Sequence, residues 1–490
     1  MPGSWQNPMS LKQKAVSGVK WSSASTGSVV LLQFLSLAVL SRVLSPADFG
    51  LMGMIMVVIG FAQTFADMGI SNAIIQRRDA TRNQLSSLYW LNVLTGTTIA
   101  AIVCLCTPLI VRLYHEPRLE NILYWTSVTF LITPFGQQFQ ILLQKHLKFH
   151  RLAKIEIATA TVGSIVSIAT AFLGFGVYAL VCGQLTSCFA KTILLLAVGW
   201  RDWSPGFHFA RSDVKGYVSF GLYQMGERTI NYFNSNLDYL LIGSMLGAKA
   251  LGYYTLAYNL IIRPSLTINP VITKVAFPIF SEIQKDAERI KRGYLKVLQL
   301  LSLVNFPLMA GLAATAPLAI PIVFGEQWAP SVPLVQILTI VGLLRSTGNP
   351  IGSLLLAKGR ADLGFVWNLG LVTTQIPGLY VGAKMGGAIG VAIAFACLMA
   401  IYSVFNYLVL IRSLLGPCLR RYVGSMWPSL WISILMFCVV VVVGVSLQNT
   451  SGHLAFAIQI LSGTATYLGL VFYTDRSLIN EIKGFVLQKA

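Results

Sequence analysis

Five of the 36 Lys and Arg residues lie inside apolar stretches of the chain: Lys191, Arg228, Arg263, Lys274 and Arg345. A cation at the centre of a bilayer costs at least about 2.5–3.5 kcal/mol on insertion scales, so each needs water, a polar partner or an anionic ligand. Arg228 is eleven residues past Tyr217, about 16 Å along a helix and near the middle of a hydrocarbon core about 30 Å thick. Arg263 is eleven residues past Gly252, entering from the opposite side, so the two reach similar depths on consecutive helices. Arg345 is also central and is followed by Gly348-Asn-Pro350, which loosens the helix there. Lys274 and Lys191 sit only about 10–13 Å from the inner surface, where a long side chain can snorkel to the interface. Lys274 joins the three arginines as a candidate binding cation; the alternative for each is a purely structural role.

Polar residues accompany these charges at helical spacing. Gln224, Glu227, Asn231, Asn234 and Asp238 are separated by 3, 4, 3 and 4 residues, which aligns them on one helix face that cannot face lipid. Asn259 precedes Arg263 by four, and Pro264, Pro270 and Pro278 bend the same helix and free carbonyls toward a cavity. Trp21 to Ser28 with Gln33, and Gln63 with Asp67, give a milder lining earlier in the chain. Gln137, Gln138 and Gln140 after Pro134 either line a cavity or bond neighbouring helices, and the Asn231, Asn234 and Asn236 cluster serves equally as interhelical glue. These residues imply a wet, cationic cavity, more cationic in the second half of the chain than in the first. Glu227 and Asp238 are the acids placed to couple an ion, or else to pair Arg228 and lock the bundle.

The elements that position these groups follow from composition. With 55% hydrophobic and 11% charged residues over 490 positions and a mean hydropathy of +0.69, the chain has too little polar surface to cover a soluble globule. The fold class is all-α integral membrane. About fourteen apolar stretches are long enough to span, near 18–41, 49–69, 87–112, 120–143, 155–173, 176–199, 217–245, 252–281, 296–324, 331–357, 362–383, 387–411, 424–446 and 454–473. Of the 36 basic residues, 26 fall in one alternate set of gaps, including both termini, and 5 in the other set. The positive-inside bias puts the basic gaps and both termini in the cytoplasm. That topology accounts for the net charge of +19, and no aromatic-interleaved basic groove points to nucleic acid. The outward gaps are too short for a catalytic domain, so an enzyme is not expected. None of the seven cysteines falls in an outward loop, and no metal spacing or cofactor motif occurs. The first apolar run is too long for a signal peptide and is kept as a span.

Three markers recur in the same order. Leu44-Ser-Pro-Ala-Asp-Phe-Gly50 matches Leu246-Gly-Ala-Lys-Ala-Leu-Gly252, Leu142-Leu-Gln-Lys145 resembles Leu355-Leu-Ala-Lys358, and Gly176-Val177 recurs as Gly390-Val391. Two six-helix lobes in the same orientation are expected, related by an axis along the membrane normal. They span 1–203 and 217–413, joined by a cytoplasmic linker at 204–216 and followed by two helices and a tail at 414–490.

The chain also resembles a known family. Ser10 to Ser22, Phe65 to Arg77, Asn269 to Pro278 and, above all, Leu344 to Lys358 are similar to the polysaccharide-flippase branch of the multidrug/oligosaccharidyl-lipid/polysaccharide (MOP) exporter superfamily, notably its colanic-acid exporter type. The resemblance implies a two-lobed flippase of the bacterial inner membrane that turns an undecaprenyl-diphosphate-linked oligosaccharide outward during exopolysaccharide assembly. It further implies alternating access driven by H+ or Na+, and polysaccharide polymerase or export machinery as partners. Arg228, Arg263 and Arg345 suit a diphosphate, since guanidinium is always charged and binds bidentately; Asn and Gln suit sugar hydroxyls. The prenyl tail would stay in membrane lipid or lie beside the last two helices. The main rival is an ion-coupled multidrug exporter of the same fold, which calls for an acidic or aromatic cavity. The other is a glycosyltransferase, ligase or polymerase acting on the same carrier, which calls for a large outward loop.

Overall fold

The computed structural model describes residues 11–66, 74, 81–283, 286–348 and 350–474, without the side chains of 11–20, 215–225, 227, 266–268, 270–279, 281, 282, 361 and 474. Hydrocarbon offers the backbone no hydrogen-bond partner, so the spanning segments must satisfy their own N–H and C=O groups. The described residues accordingly form helices joined by short turns: α1 (Leu11–Val43), α2 (Pro46–Ala66), α3 (Arg82–Tyr114), α4 (Leu119–Lys145), α5 (Phe149–Phe172), α6 (Val177–Gly199), α7 (Arg211–Glu282), α8 (Ala287–Phe324), α9 (Ser331–Gly348), α10 (Pro350–Ala357), α11 (Ala361–Phe405), α12 (Arg412–Leu415), α13 (Leu419–Ser446) and α14 (Gly452–Thr474). Eleven helical stretches among the described residues are long and apolar enough to cross a membrane. Two of them contain glycine breaks, at Gly247 in α7 and at Gly386–Gly387 in α11, so each comprises two segments. The turn expected near 246–251 is therefore a sharp break at Gly247 (φ 80°, ψ 179°) with helix on either side. α4 falls outside the eleven.

Two compact units divide the chain, Met1–Gly252 and Tyr253–Ala490. In the first, α1 packs on α5, α5 on α6, α6 on α4, and α4 on α3. Between α5 and α6 the contact is made by small residues four apart on each helix. A Cβ on Gly163 would crowd Ser187 and one on Gly183 would crowd Ser167, so the backbones approach closely. The front of α7 joins this unit through α2 and α3: the Tyr232 hydroxyl donates to the Val57 carbonyl at 2.8 Å, and Gly243 lies against the Tyr114 ring. In the second unit α8 packs on α9 and α13, α9 on α11, and α13 on α14.

The repeated turn explains why the first unit ends where it does. Ser45 and Asp48 cap α2 reciprocally, the Ser45 N–H and hydroxyl both donating to the Asp48 carboxylate, and the hydroxyl accepting from the Asp48 N–H. Its counterpart uses Gly247 in a conformation that only glycine adopts readily. The two turns then meet. A Cβ on Gly50 would overlap the Ala248 carbonyl, and a Cβ on Gly252 would overlap the Pro46 carbonyl, the same positions in exchanged roles.

On the surface, Lys148 Nζ reaches Asp202 at 2.7 Å and Arg151 approaches it at 3.7 Å, tying the start of α5 to the segment after α6. The Lys148 ammonium, with Arg151 behind it, holds the Asp202 carboxyl below the usual carboxylate range. A depressed acid contributes stability above its unfolded value of about 3.9 and loses it as pH falls through the folded value. Asp202→Asn should lower the thermal midpoint slightly at neutral pH, within the roughly 0.2–1 kcal/mol of exposed pairs, and the gap to wild type should close below about pH 4. At the paired turns, Gly50→Val or Gly252→Val should abolish folded yield in detergent or cost more than about 4 kcal/mol. Gly370→Ala, where a Cβ meets open space, should leave the thermal midpoint unchanged or raised by up to about 1 kcal/mol.

Candidate functional site

Within the first unit, a cavity of about 720 Å³ is walled by α2, α4, α6 and the front of α7. Two of the walls contribute a polar helical stripe. α4 supplies Thr133, Gln137, Gln140 and Gln144, spaced 4, 3 and 4; α6 supplies Gln184, Cys188 and Lys191, spaced 4 and 3; α2 supplies Gln63 and α7 supplies Arg228. The α4 stripe also explains why that helix is less apolar than its neighbours. Among the described residues, five glutamines and two cations thus face the cavity and no acid lines it. The side-chain oxygen of Gln184, buried in the wall, accepts no hydrogen bond from the protein. Glutamine amides donate and accept, so this surface can bind hydroxyl-rich ligands, while Lys191 and Arg228 supply the positive charge that an anion needs.

Lys191 corrects the snorkelling expectation: its side chain belongs to the cavity wall. The missed signal was the Gln184–Cys188–Lys191 stripe, whose spacing aims the lysine along the same face as a glutamine. Gln137 and Gln140 line the cavity, whereas Gln138 is fully buried between helices. The contacts of Gly96 with Pro134 and of Tyr89 with Phe139 set an antiparallel register in which Asn92 of α3 stands level with Gln138 of α4.

The other two arginines belong to the second unit, where both are anchored on one turn of α7. Arg263 Nε donates to Asn259 Oδ1 at 3.2 Å, and the Asn259 amide donates to the Thr255 carbonyl at 2.8 Å. Arg345, from α9, donates to the Tyr258 hydroxyl at 2.9 Å. Both side chains are half-buried. Below them a buried amide chain links α7 to α8: Ser265 donates to Asn305, which donates to Asn269 at 3.0 Å. Of the polar stripe on α7, Asn231 is exposed, Asn234 half-buried and Asp238 buried, at 1% exposure. The side chains of Gln224, Glu227 and Lys274, and all of Asp67, lie outside the described residues.

A family model described as "Polysaccharide biosynthesis protein" matches residues 39–333. The chain belongs to the polysaccharide biosynthesis protein family. It is 38% identical over 467 residues to the teichuronic acid biosynthesis protein TuaB of Bacillus subtilis, covering 94% of this chain and 96% of that one. It is 36% identical over 441 residues to the lipopolysaccharide biosynthesis protein WzxC of Escherichia coli, covering 90% of each. Its fold matches that of the lipid II flippase MurJ in an inward closed conformation, with a TM-score of 0.76 at 15% identity, over 94% of this chain and 100% of that one. Family membership, the all-helical build and the many apolar helices together make it a multi-pass membrane protein.

The cavity makes a direct prediction about water. In a cysteine-free background, Gln137→Cys and Gln140→Cys should react with a water-soluble, charged thiol reagent, whereas Leu105→Cys, on the 80%-exposed outer side of α3, should not. Equal reactivity at all three positions would mean that the cavity is no wetter than the lipid-facing surface.

Proposed function

We propose that this chain is a flippase that carries an undecaprenyl-diphosphate-linked oligosaccharide from the cytoplasmic to the periplasmic leaflet of the bacterial inner membrane for exopolysaccharide assembly. The observation that carries this reading is the cavity of about 720 Å³ with Lys191, Arg228, five glutamines and, among the described residues, no acid. A diphosphate brings two or more negative charges, and the sugars beside it present hydroxyls; cations flanked by amides match both parts. The family's name and those of its relatives point to polysaccharide assembly, and the fold shared with a lipid II flippase points to a lipid-linked cargo. The chain acts as a transporter and not as an enzyme. A multidrug exporter of organic cations is the less favoured reading, because its cargo would be repelled by Lys191 and Arg228.

Arg263 and Arg345 serve in this reading as a second cationic station, with Asn259 holding Arg263 and Lys274 adding to it. Gln224, Asn231 and Asn234 line the path along α7, and Glu227 and Asp238 couple transport to H+ or Na+ entry. The chain crosses the membrane fourteen times with both termini in the cytoplasm. Residues 1–203 and 217–413 act as rocking repeats joined at 204–216, and 414–490 is an appendix. Polysaccharide polymerase or export machinery takes the product onward.

Flipping of the lipid-linked oligosaccharide in proteoliposomes tests the proposal, with wild type compared with Arg228→Gln, Lys191→Gln and Arg263→Gln at matched reconstitution. Wild type should flip, and each variant should lose about tenfold or more, the size of one lost charge-assisted hydrogen bond of 1.4 kcal/mol or above. A wild-type protein inert toward the lipid but active on organic cations would overturn the flippase reading in favour of drug export.

A further inference from the structure

A second cavity, of about 460 Å³, lies in the first unit between α2, α3 and the front of α7. Its chemistry is the reverse of the first. Val58, Phe61, Phe65, Ile102 and Phe233 form its walls, and two of the polar groups within it are already engaged. The Tyr232 hydroxyl donates to the Val57 carbonyl at 2.8 Å, and the Asn236 amide donates to the Tyr232 carbonyl at 2.9 Å. The third, the buried Tyr114 hydroxyl, comes from the far end of α3. Along α3 the flanking side chains Leu105 and Leu109 are 80% and 68% exposed, so this is a groove on the side of the unit that faces lipid.

The groove and the polar cavity share two walls. On α2, Ile59 and Gln63 face the cavity while Val58, Phe61 and Phe65 face the groove, so one helix is the partition between them. On α7, Arg228 lines the cavity, and Tyr232 and Asn236, one and two turns further along the same face, line the groove. The step from cation to hydrocarbon surface is thus one helical turn, about 5–6 Å. Gly60 lets α7 approach α2 closely: a Cβ there would strike the Tyr232 ring, which packs flush against α2.

We infer that the groove between α2, α3 and α7 holds the polyprenyl tail of the cargo while its diphosphate lies at Arg228 and Lys191. Only an amphiphile with an anionic head joined directly to a long hydrocarbon satisfies both surfaces at that separation. A soluble sugar phosphate would leave the groove empty, and a bilayer phospholipid would have no use for the glutamine-lined cavity. The inference deepens the flippase reading and rests on it for the identity of the head. It departs from the expectation of a tail lying beside the last two helices, α13 and α14.

Cross-linking of the wild-type protein in nanodiscs tests it, using a polyprenyl diphosphate with a diazirine in its tail and mapping adducts by mass spectrometry. Adducts should concentrate on 57–65, 99–113 and 232–240. Unlabelled long-chain polyprenyl diphosphate should compete them away, and the nanodisc phospholipid should not. Filling the groove by Val58→Trp or Ile102→Trp should lower flipping of the long-chain substrate about tenfold, equivalent to 1.4 kcal/mol, with inorganic diphosphate still binding at wild-type affinity. Adducts on α13 and α14, or spread evenly over the lipid-facing surface, overturn the inference, as do Trp variants that flip at the wild-type rate. Groove adducts in a protein that flips nothing would retain the inference and sink the flippase reading; flipping without groove adducts would do the opposite.

Discussion

A positive charge held within an apolar helical stretch is the constraint from which the first unit is built. Arg228 and Lys191 carry side chains whose transfer into hydrocarbon is opposed by several kcal/mol, so the surrounding helices must keep them hydrated or bonded. Two neighbours, α4 and α6, do so with the same device, a stripe of polar side chains repeating every three or four residues on one face. The opposite faces remain apolar and pack or meet lipid. α4 shows what the device requires: its stripe makes it less apolar than the other spans, and the helix is held in place by packing against α3 and α6. The polar cavity is therefore a result of how the charges are accommodated, and it is also the feature that can recognise a charged, hydroxylated cargo.

Much of this was legible in the sequence because membrane constraints are written in one dimension. Span length, the bias of basic residues to alternate gaps and the cost of intramembrane charge are all local, and they single out Arg228, Arg263 and Arg345 as cations within apolar stretches. Lys191 was misread because depth alone was considered. A lysine near an interface can snorkel, and only the neighbouring Gln184 and Cys188, with the facing stripe on α4, show that it points inward. Gln138 and Gln137 are adjacent in sequence yet one is sealed between helices and the other lines the cavity, since 100° of rotation separates them; that distinction needed the packing partner. The expected bias of charge toward the second half likewise overlooked the cavity of the first unit, where Lys191 and Arg228 stand among five glutamines.

Contact and repetition divide the chain at different places, for a physical reason. The repeated sequence markers suggest a boundary before residue 217, whereas the first compact unit runs to Gly252. The front of α7 is carried with the earlier helices because Tyr232 is bonded to α2, Gly243 is packed on Tyr114 and Gly252 is pressed against Pro46. Gly247 then breaks the helix without separating its two halves, and Arg263 and Arg345 are fixed to the turn that follows.

The reciprocal meeting of the two short turns carries a historical consequence. A contact in which one position touches the other's counterpart, and the counterpart returns the same touch, is the self-complementary geometry of a two-fold homodimer, here contained in a single polypeptide. Joining such partners by a polar linker would release every position from having to serve twice, except those in the contact itself. Pro46, Gly50, Ala248 and Gly252 would then drift only as a set, Gly50 limited by the backbone of Ala248 and Gly252 by that of Pro46. Elsewhere each part of the chain would be free to specialise, as the glutamine-rich chamber of the first unit illustrates.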